Sequence, residues 1–432
     1  MKTVIKNGIV IPMDPKLPQV LRGDIAIEGK KIVSVGNLPA DFMADRTIDA
    51  ENSIVLPGII NAHCHLSMVL LRNYADDLDL FTWLNEKIWP IEEKMTETQV
   101  YNSSLLGAAE LIRSGVTSFA DMYFFQPETC KAVEQAGIRA RIGAPFMGDE
   151  ETIENKLPAL QKLYDEWNGR DGRINVDSAP HAPYTLTPGA LQMAINFAKD
   201  NNTRIHIHVS ESKQETEENY EKHGVSPVEY LEKAGLFEHP TYAAHCVQLN
   251  EKDLDILKQN GVYPVHNPTS NLKLGNGFAP IPAMLEMGMH PALGTDGASS
   301  NNNLNMFEEI HLAAIIHKAS TGDPKAVSAY QALQMATIFG AEALGIDDVC
   351  GSLTPGKEAD IIMVDTNKTH LQPLHNPVAT ISYGAQASDV HFVMCAGEIL
   401  MEKGVVNTID EKEVIRRVVE DSAALMGEVD FS

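Results

Sequence analysis

The sequence is short of positive charge. It has 34 lysine and arginine residues against 59 aspartate and glutamate residues, which gives a formal net charge of −25 at pH 7. Nucleic acids and anionic membranes bind proteins through clustered basic side chains, so we expect neither as a partner. The acidic balance does not by itself indicate a substrate.

Cysteine pairs, a secretion signal and long apolar runs are also missing. The five cysteines, at positions 64, 130, 246, 350 and 395, are scattered and have no C-x-x-C spacing. The amino terminus has no long apolar core followed by a small-residue cleavage site. No apolar run is long enough to span a bilayer. These absences predict a reduced, cytoplasmic protein.

What the sequence does contain, at its two ends, is short β-type runs. Residues 3–56 alternate such runs with turns, and Glu28-Gly29 separates two of them as in a hairpin. The runs 359–365 and 390–401 have the same character, and helical spacing follows over Asp410–Glu428. Because each end has too few strands to be stable alone, we predict one small β-sandwich built from residues 1–56 and 351–432.

Residues 57–350 alternate strands with helices instead. This pattern is typical of βα units and predicts an α/β fold, a (β/α)₈ TIM barrel with its chemistry at the carboxyl ends of the strands. An open doubly wound sheet is the alternative, but no G-x-G-x-x-G opens the first unit. The predicted strands are 58–64, 115–121, 139–146, 174–181, 204–209, 241–246, 262–266 and 290–295.

Histidines collect at the ends of these strands. His63 and His65 close the first strand, and since they are two residues apart their side chains point the same way. On the fifth strand we interpret His208, nearer the tip, as a metal ligand and His206 as a packing or supporting residue. Other strand ends carry His181, His245, His266 and Asp296.

Three neutral imidazoles and one carboxylate suit Zn²⁺ and would also accommodate Fe²⁺. Such a metal lowers the pKa of water from about 15.7 towards about 7. Glu211, three residues past His208, can then act as a general acid/base without being a ligand, and His245 is close enough to hold the hydroxide or the leaving group. Because no lysine follows the fourth strand to bridge two metals, we expect one metal per subunit.

In order and spacing these residues resemble the amidohydrolase superfamily. Longer strings narrow the resemblance to the 5′-methylthioadenosine/S-adenosylhomocysteine deaminase family, and it runs across essentially the whole chain. The strings are Trp89-Pro-Ile-Glu92, Ala179-Pro-His-Ala-Pro-Tyr184, His206-Ile-His-Val-Ser-Glu211, Ala244-His-Cys-Val247, His266-Asn-Pro-Thr-Ser-Asn-Leu-Lys-Leu-Gly-Asn-Gly277 and Leu293-Gly-Thr-Asp-Gly-Ala-Ser-Ser-Asn-Asn302.

The resemblance implies hydrolytic deamination of an adenosine-type nucleoside to the inosine analogue and ammonia. It implies that His63, His65, His208 and Asp296 bind the metal, that Glu211 protonates the purine N1, and that His245 assists the attacking hydroxide. Glu211, His245 and Asp296 would be catalytic, and Glu92, His181, Glu211 and Asp296 would contact the substrate. The segment 80–84 would close over the 5′ substituent or simply pack as a helix. The resemblance also suggests a homo-oligomer.

One loop departs from that family. Relatives that use S-adenosylhomocysteine hold its carboxylate with arginines after the third strand, whereas Ala144–Ile153 has no arginine and three acids, and Arg139 and Arg141 come earlier. We therefore expect 5′-methylthioadenosine, adenosine or 5′-deoxyadenosine to be better substrates.

Two other functions remain as alternatives. One is a deaminase or hydrolase of another ring, such as guanine or a triazine; here Glu211 favours a proton-transferring deaminase over a dehalogenating hydrolase. The other is a catalytically silent barrel, against which the full set of ligand candidates argues.

Overall fold

The computed structural model describes residues 1–427, which form two sheets with helices packed around one of them. The strands are β1 (Lys2–Val10), β2 (Leu21–Glu28), β3 (Lys31–Gly36), β4 (Arg46–Asp49), β5 (Ser53–Pro57), β6 (Ile59–Cys64), β7 (Val116–Met122), β8 (Arg139–Phe146), β9 (Ile174–Pro180), β10 (Ile205–Val209), β11 (Thr241–His245), β12 (Tyr263–His266), β13 (Ala292–Leu293), β14 (Ile361–Asp365), β15 (Val390–Cys395), β16 (Glu398–Glu402) and β17 (Val405–Val406).

The α-helices are α1 (Leu80–Thr82), α2 (Trp89–Glu92), α3 (Glu97–Arg113), α4 (Gln126–Ala136), α5 (Glu150–Trp167), α6 (Pro188–Asn201), α7 (Lys213–His223), α8 (Pro227–Lys233), α9 (Glu251–Gln259), α10 (Pro268–Lys273), α11 (Ile281–Glu286), α12 (Met306–Thr321), α13 (Ala329–Met335), α14 (Ile338–Leu344), α15 (Pro377–Ala379) and α16 (Glu411–Met426). A π-helical stretch, Trp83–Ile88, joins α1 to α2 in one continuous helical segment, 80–92.

Strands β6 to β13 are parallel neighbours in chain order, with helices between them, which confirms the predicted barrel. Their side chains are buried on both faces, as the near-continuous apolar runs indicate. Where β13 approaches β6, the backbone N–H of Asp296 donates to the carbonyl oxygen of His63 at 3.1 Å. Gly294 permits this approach, since a Cβ there would lie 2.7 Å from that same carbonyl oxygen.

Local capping explains where several barrel helices begin. Thr96 accepts from the backbone N–H of Gln99, whose side chain returns the bond as a capping box at the start of α3. At the start of α6, Thr187 accepts from the backbone N–H of Ala190, and Pro188 occupies the first helical position. These caps fix where the helices between the barrel strands begin.

The chain ends form the second sheet, as predicted. Its strands follow the hydrogen-bonded order β17-β16-β15-β14-β5-β1-β2-β3, and β4 pairs with β1. β2 and β3 are the antiparallel hairpin expected around Glu28-Gly29. A separate hydrophobic cluster, which includes Ile25 and Phe392, draws residues from both ends of the chain. Neither end could enclose that cluster alone.

The predicted limits between these units remain predictions. The first, after residue 56, lies at the end of β5, and the second, after residue 350, lies between α14 and β14. The predicted tail helix corresponds to α16, whose buried residues are Val414 and Val418. Glu428, at its predicted end, lies outside the described residues.

Within residues 1–427, none of the helices is both long enough and apolar enough to cross a membrane.

Candidate active site

A cavity with about 710 Å³ of empty volume opens at the carboxyl ends of the barrel strands. We call it the mouth cavity. Both the strand ends and the helical segment 80–92 contribute to it. Its lining residues are His65, Met68, Leu80, Trp83, Leu84, Trp89, Glu92, Met122, Tyr123, Phe124, Pro145, Met147, His181, Tyr184, His208, Glu211, His245, Leu274 and Asp296.

The structure brings the four predicted metal ligands together at the base of this cavity. The ligand atoms of His63, His65 and His208 all lie within 4.8 Å of one another. Oδ1 of Asp296 lies 3.2 Å from Nε2 of His65 and 3.5 Å from Nε2 of His63. His245 forms a second such group with His63 and Asp296, so its ring also faces the cluster.

Hydrogen bonds on the far side of each ring direct the nitrogens of this cluster inward. Nδ1 of His65 donates to the carbonyl oxygen of Met122 at 2.5 Å, and Nδ1 of His208 donates to that of His181 at 2.7 Å. Nδ1 of His63 lies 2.7 Å from Nε2 of His206. Each bond leaves Nε2 facing the centre, which is how metal-binding imidazoles are held in one tautomer.

Asp296 is fixed from behind by two hydroxyls. Ser270 and Ser300 donate to its Oδ2 at 2.6 and 2.7 Å, which leaves Oδ1 facing the histidines. Burial alone would raise the pKa of Asp296, but the adjacent rings of His63 and His65 hold it well below its ordinary value. The carboxylate is therefore charged and ready to bind a cation.

Glu211 stands beside the cluster in a protected position. Its Oε1 accepts from Nδ2 of Asn276 at 3.1 Å, and its Oε2 lies 3.7 Å from Nε2 of His245. The carboxylate of Glu215 accepts the backbone N–H groups of Ser210 and Glu211 at 3.0 and 2.7 Å, which fixes the turn. Burial raises the pKa of Glu211, as suits a general acid/base.

Several of these residues sit on sharply turned backbone. Ser210, His245 and Asp296 have φ angles of 52°, 70° and 63°, in the left-handed region that non-glycine residues seldom occupy. Each lies at or just beyond the carboxyl end of a barrel strand. Such conformations cluster at functional sites, where the surrounding structure holds them in place.

The predicted substrate contacts, Glu92 and His181, also reach the mouth cavity. Tyr123 donates its hydroxyl to Oε1 of Glu92 at 2.7 Å, and burial raises the pKa of Glu92 to about 7. Burial lowers the pKa of His181 to about 3, so its ring is neutral. Leu80 and Leu84, from the segment predicted to close over the substrate, line the cavity as well.

Two other histidines take different positions. His206 stacks on Tyr242 and supports His63 from below. His266, at the end of β12, faces His317 on α12, with the two Nε2 atoms 3.1 Å apart. Its side chain is therefore turned to the helix layer.

Sequence reasoning missed the residues that support the site. Asn271 and Asn276 lie in the segment 266–277, and Ser300 lies in the segment 293–302. Both segments support the family resemblance, but the sequence does not assign a role to these three side chains. Tyr123, immediately after β7, could have been noted as a polar residue at a strand end. Glu215 follows a serine N-cap at the start of α7 and looks there like an ordinary capping acid.

The donor set fits a divalent metal. Nε2 of His63 is buried and has no hydrogen-bond partner among residues 1–427. Nε2 of His65 and Nε2 of His208 face each other at 3.3 Å. Two imidazole nitrogens directed at one point, beside a charged carboxylate, are explained by a shared cation.

Comparison with known proteins gives consistent results. A model of the amidohydrolase family matches residues 54–400. A 5-methylthioadenosine/S-adenosylhomocysteine deaminase of Thermoanaerobacter pseudethanolicus is 49% identical over 421 residues, which are 97% of this chain and 98% of that protein.

Solved structures share the fold. A zinc-bound adenosine deaminase from Xanthomonas campestris matches with a TM-score of 0.92 and 32% identity, over 98% of both chains. An atrazine chlorohydrolase from Arthrobacter aurescens, complexed with zinc, matches with a TM-score of 0.90 and 25% identity, over 98% of this chain and 99% of that one.

Proposed function

This chain belongs to the amidohydrolase family, and from that premise we propose that its mouth cavity deaminates adenosine-type nucleosides by hydrolysis. The products are the inosine analogue and ammonia. The observation that carries the proposal is the pairing of an inward-facing His-His-His-Asp cluster with the buried Glu211 beside it. The names of the compared deaminases support the same substrate class.

We propose His63, His65, His208 and Asp296 as the ligands of one zinc ion per subunit, a site that iron(II) would also fit. The zinc in the compared structures supports this choice. A zinc ion bound there would lower the pKa of a water molecule towards about 7 and so supply hydroxide at neutral pH.

The protein's own residues would then move the protons. Glu211 takes the proton of the attacking water and delivers it to N1 of the purine, while oxygen adds at C6. His245, 3.7 Å from Glu211, orients the attacking oxygen and stabilises the charge that develops on it. The second proton of the water, now on the C6 hydroxyl, passes to the amino nitrogen; the C6–N bond then breaks, the C6 carbonyl forms, and one ammonia leaves for each water consumed.

The nucleoside is oriented from the opposite wall of the cavity. Glu92 accepts the ribose hydroxyls in charge-assisted hydrogen bonds, and Tyr123 holds its carboxylate in place. His181, neutral at physiological pH, contacts the ribose or purine. Asp296 contacts the reacting group from the base of the cavity. The apolar side chains of the segment 80–84 cover the substrate and exclude water.

In this proposal 5′-methylthioadenosine, adenosine and 5′-deoxyadenosine are better substrates than S-adenosylhomocysteine. Within residues 1–427 the mouth cavity is lined by no lysine or arginine. Arg139 is paired with Asp360, and Arg141 with Asp177, so neither is available to a ligand. A homocysteine carboxylate therefore has no bidentate partner there.

The acidic net charge supports a small molecule as the partner, without nucleic acid or membrane. Homo-oligomer formation and a cytoplasmic location remain expectations from the sequence.

The test is ammonia release by zinc-loaded protein from adenosine, 5′-methylthioadenosine, 5′-deoxyadenosine, S-adenosylhomocysteine and guanine. We expect turnover of the first three and a lower kcat/KM for S-adenosylhomocysteine. The matched control is Glu211→Gln, which should keep its zinc and lose most turnover. Turnover of guanine alone would refute the substrate class, and full activity of Glu211→Gln would refute the proton transfer.

A further inference from the structure

One short segment, 270–277, contacts three functional groups of the proposed active site. It comprises the end of α10 and the turn that follows this helix. The contacts are those of Ser270 with Asp296, of Asn271 with His245 and of Asn276 with Glu211. One part of the chain therefore holds a proposed metal ligand and both acid/base residues.

The backbone of Asn276 is fixed on both sides. Its N–H donates to the carbonyl oxygen of Asn271 at 2.9 Å, and its own carbonyl oxygen accepts from Nε2 of Gln248 at 2.6 Å. The two glycines that flank it have φ angles of 70° and 109°, which glycine adopts at little cost. This turn thus presents the side chain of Asn276 to Glu211 in a fixed position.

The two carboxylate oxygens of Glu211 have different surroundings. Oε2 lies 3.7 Å from Nε2 of His245, and both of these residues line the mouth cavity. Oε1 accepts from Nδ2 of Asn276 at 3.1 Å, and Asn276 is outside the cavity lining. This bond is charge-assisted while Oε1 is negative, and it weakens if a proton binds to Oε1. Because Glu211 and Asn276 are only 5% and 7% exposed, water cannot easily replace a lost bond.

We propose that Asn276 is a positioning residue that reserves Oε2 of Glu211 for proton transfer. Oε1 keeps its bond to Asn276 throughout the reaction. Oε2 takes one proton from the attacking water as the oxygen adds at C6, and it passes that proton to N1 of the purine, which restores the carboxylate. Without this bond the carboxylate can rotate about its terminal torsion, which has no sharp minimum, and can carry the proton away from the nucleoside. This inference rests on the proposed function and identifies the atom that acts in it.

The first test is the steady-state kinetics of Asn276→Ala with adenosine on zinc-loaded protein. We expect kcat to fall by about 10- to 100-fold, within the factor of about 10² to 10⁴ that a general acid/base contributes. KM and zinc content should not change, because Asn276 contacts neither the cavity nor the metal ligands. A wild-type kcat in Asn276→Ala would overturn the proposal. Failure of the wild type to deaminate adenosine would overturn the proposed function and this inference with it.

Asn276→Asp separates the hydrogen bond from the size of the side chain. Aspartate has nearly the same shape, but its ionised carboxylate accepts hydrogen bonds and does not donate them. At about pH 8, where aspartate is ordinarily ionised, we expect this variant to lose at least as much of kcat as Asn276→Ala does. A wild-type kcat in Asn276→Asp would show that the side chain only fills space, and the proposal would be wrong.

Two inhibitors test the proton-carrying atom without turnover. 1,6-Dihydro-6-hydroxymethylpurine riboside resembles the tetrahedral adduct and can donate its N1–H to Glu211, whereas 1-deazaadenosine has a C–H group at that position. Analogues of a transition state lose affinity together with kcat/KM, so Asn276→Ala should weaken the first inhibitor by about tenfold or more. The affinity for 1-deazaadenosine should not change.

The matched control is Asn260→Ala. The amide of Asn260, at the end of α9, donates to the carbonyl oxygen of Ile256 on its own helix, so its loss should leave both inhibitor affinities unchanged. Equal weakening of the two inhibitors by Asn276→Ala would indicate a general disturbance of the cavity and would overturn the proposal.

Discussion

His245 faces Glu211 because Asn271 holds the other side of its ring. Oδ1 of Asn271 lies 2.9 Å from Nδ1 of His245 and accepts its proton, which leaves Nε2 free on the side of the cavity. The ring is 1% exposed and cannot use water as a substitute partner. The same arrangement recurs at His65 and His208, where main-chain carbonyls accept from Nδ1. At the residue scale, the chemistry depends on these hydrogen bonds at Nδ1 as well as on the Nε2 atoms that face the cavity.

Loss of the bond from His245 should therefore reduce catalysis while leaving the metal in place. We expect Asn271→Ala to lower kcat by about 10- to 100-fold, the usual effect of removing such a partner, with KM little changed. Asn271→Asp retains an acceptor and should recover part of the loss. Steady-state kinetics over a range of pH, with metal analysis of each variant, measures this. A wild-type kcat and pH profile in Asn271→Ala would contradict the positioning role.

Helix α12 braces the loop that carries Asp296. Its Glu309 is fully buried and accepts from the backbone N–H of Thr269 at 3.1 Å and from Nδ2 of Asn301 at 2.7 Å. The same amide of Asn301 reaches the carbonyl oxygen of Thr295. Burial raises the pKa of Glu309 to about 8. At the element scale, one carboxyl group thus connects α10, α12 and the turn after β13.

This raised pKa predicts a pH-dependent stability. The folded state favours the protonated acid, so the contribution of Glu309 is fully present below its unfolded pKa of about 4.3 and is lost as the pH rises through about 8. Relative to Glu309→Gln, the wild type should lose up to about 1.4 kcal/mol of unfolding free energy per pH unit in that window. Denaturant unfolding of metal-loaded protein at several pH values measures the difference. Glu308→Gln, at the neighbouring position, should follow the wild type, and parallel curves for Glu309→Gln and wild type would refute the assignment.

Strands and helices with a clear hydrophobic pattern could be predicted from the sequence. The residues at which they end could not always be predicted. The last barrel strand was expected over 290–295 but contains Ala292–Leu293 alone. Just beyond it, Asp296 adopts a left-handed conformation, which an extended strand does not contain. A hydrophobic pattern contains no information about such a turn. The bonds of Ser270 to Asp296 and of Asn271 to His245 were missed because they join loops distant in sequence, and that of Ser300 to Asp296 because it forms within an irregular turn.

At the scale of the whole molecule, the end sheet is anchored to the barrel by a buried ion pair. Arg139 on β8 is 3% exposed and donates two bonds to Asp360, at 3.0 and 3.1 Å, just before β14. Asp360 also accepts the backbone N–H of Ala396, which follows β15. The sequence predicted that the chain ends would meet, because neither end suffices alone. It did not predict this anchor, which depends on the register between two separate sheets.

The central claim, hydrolysis at C6 of adenosine, is tested most directly by isotope transfer. Zinc-loaded protein would be incubated with adenosine in ¹⁸O-labelled water and the purine product analysed by mass spectrometry. We predict inosine with one ¹⁸O atom at C6, and one ammonia released for each inosine formed. Unchanged adenosine, or free adenine from cleavage of the glycosidic bond, would contradict the account.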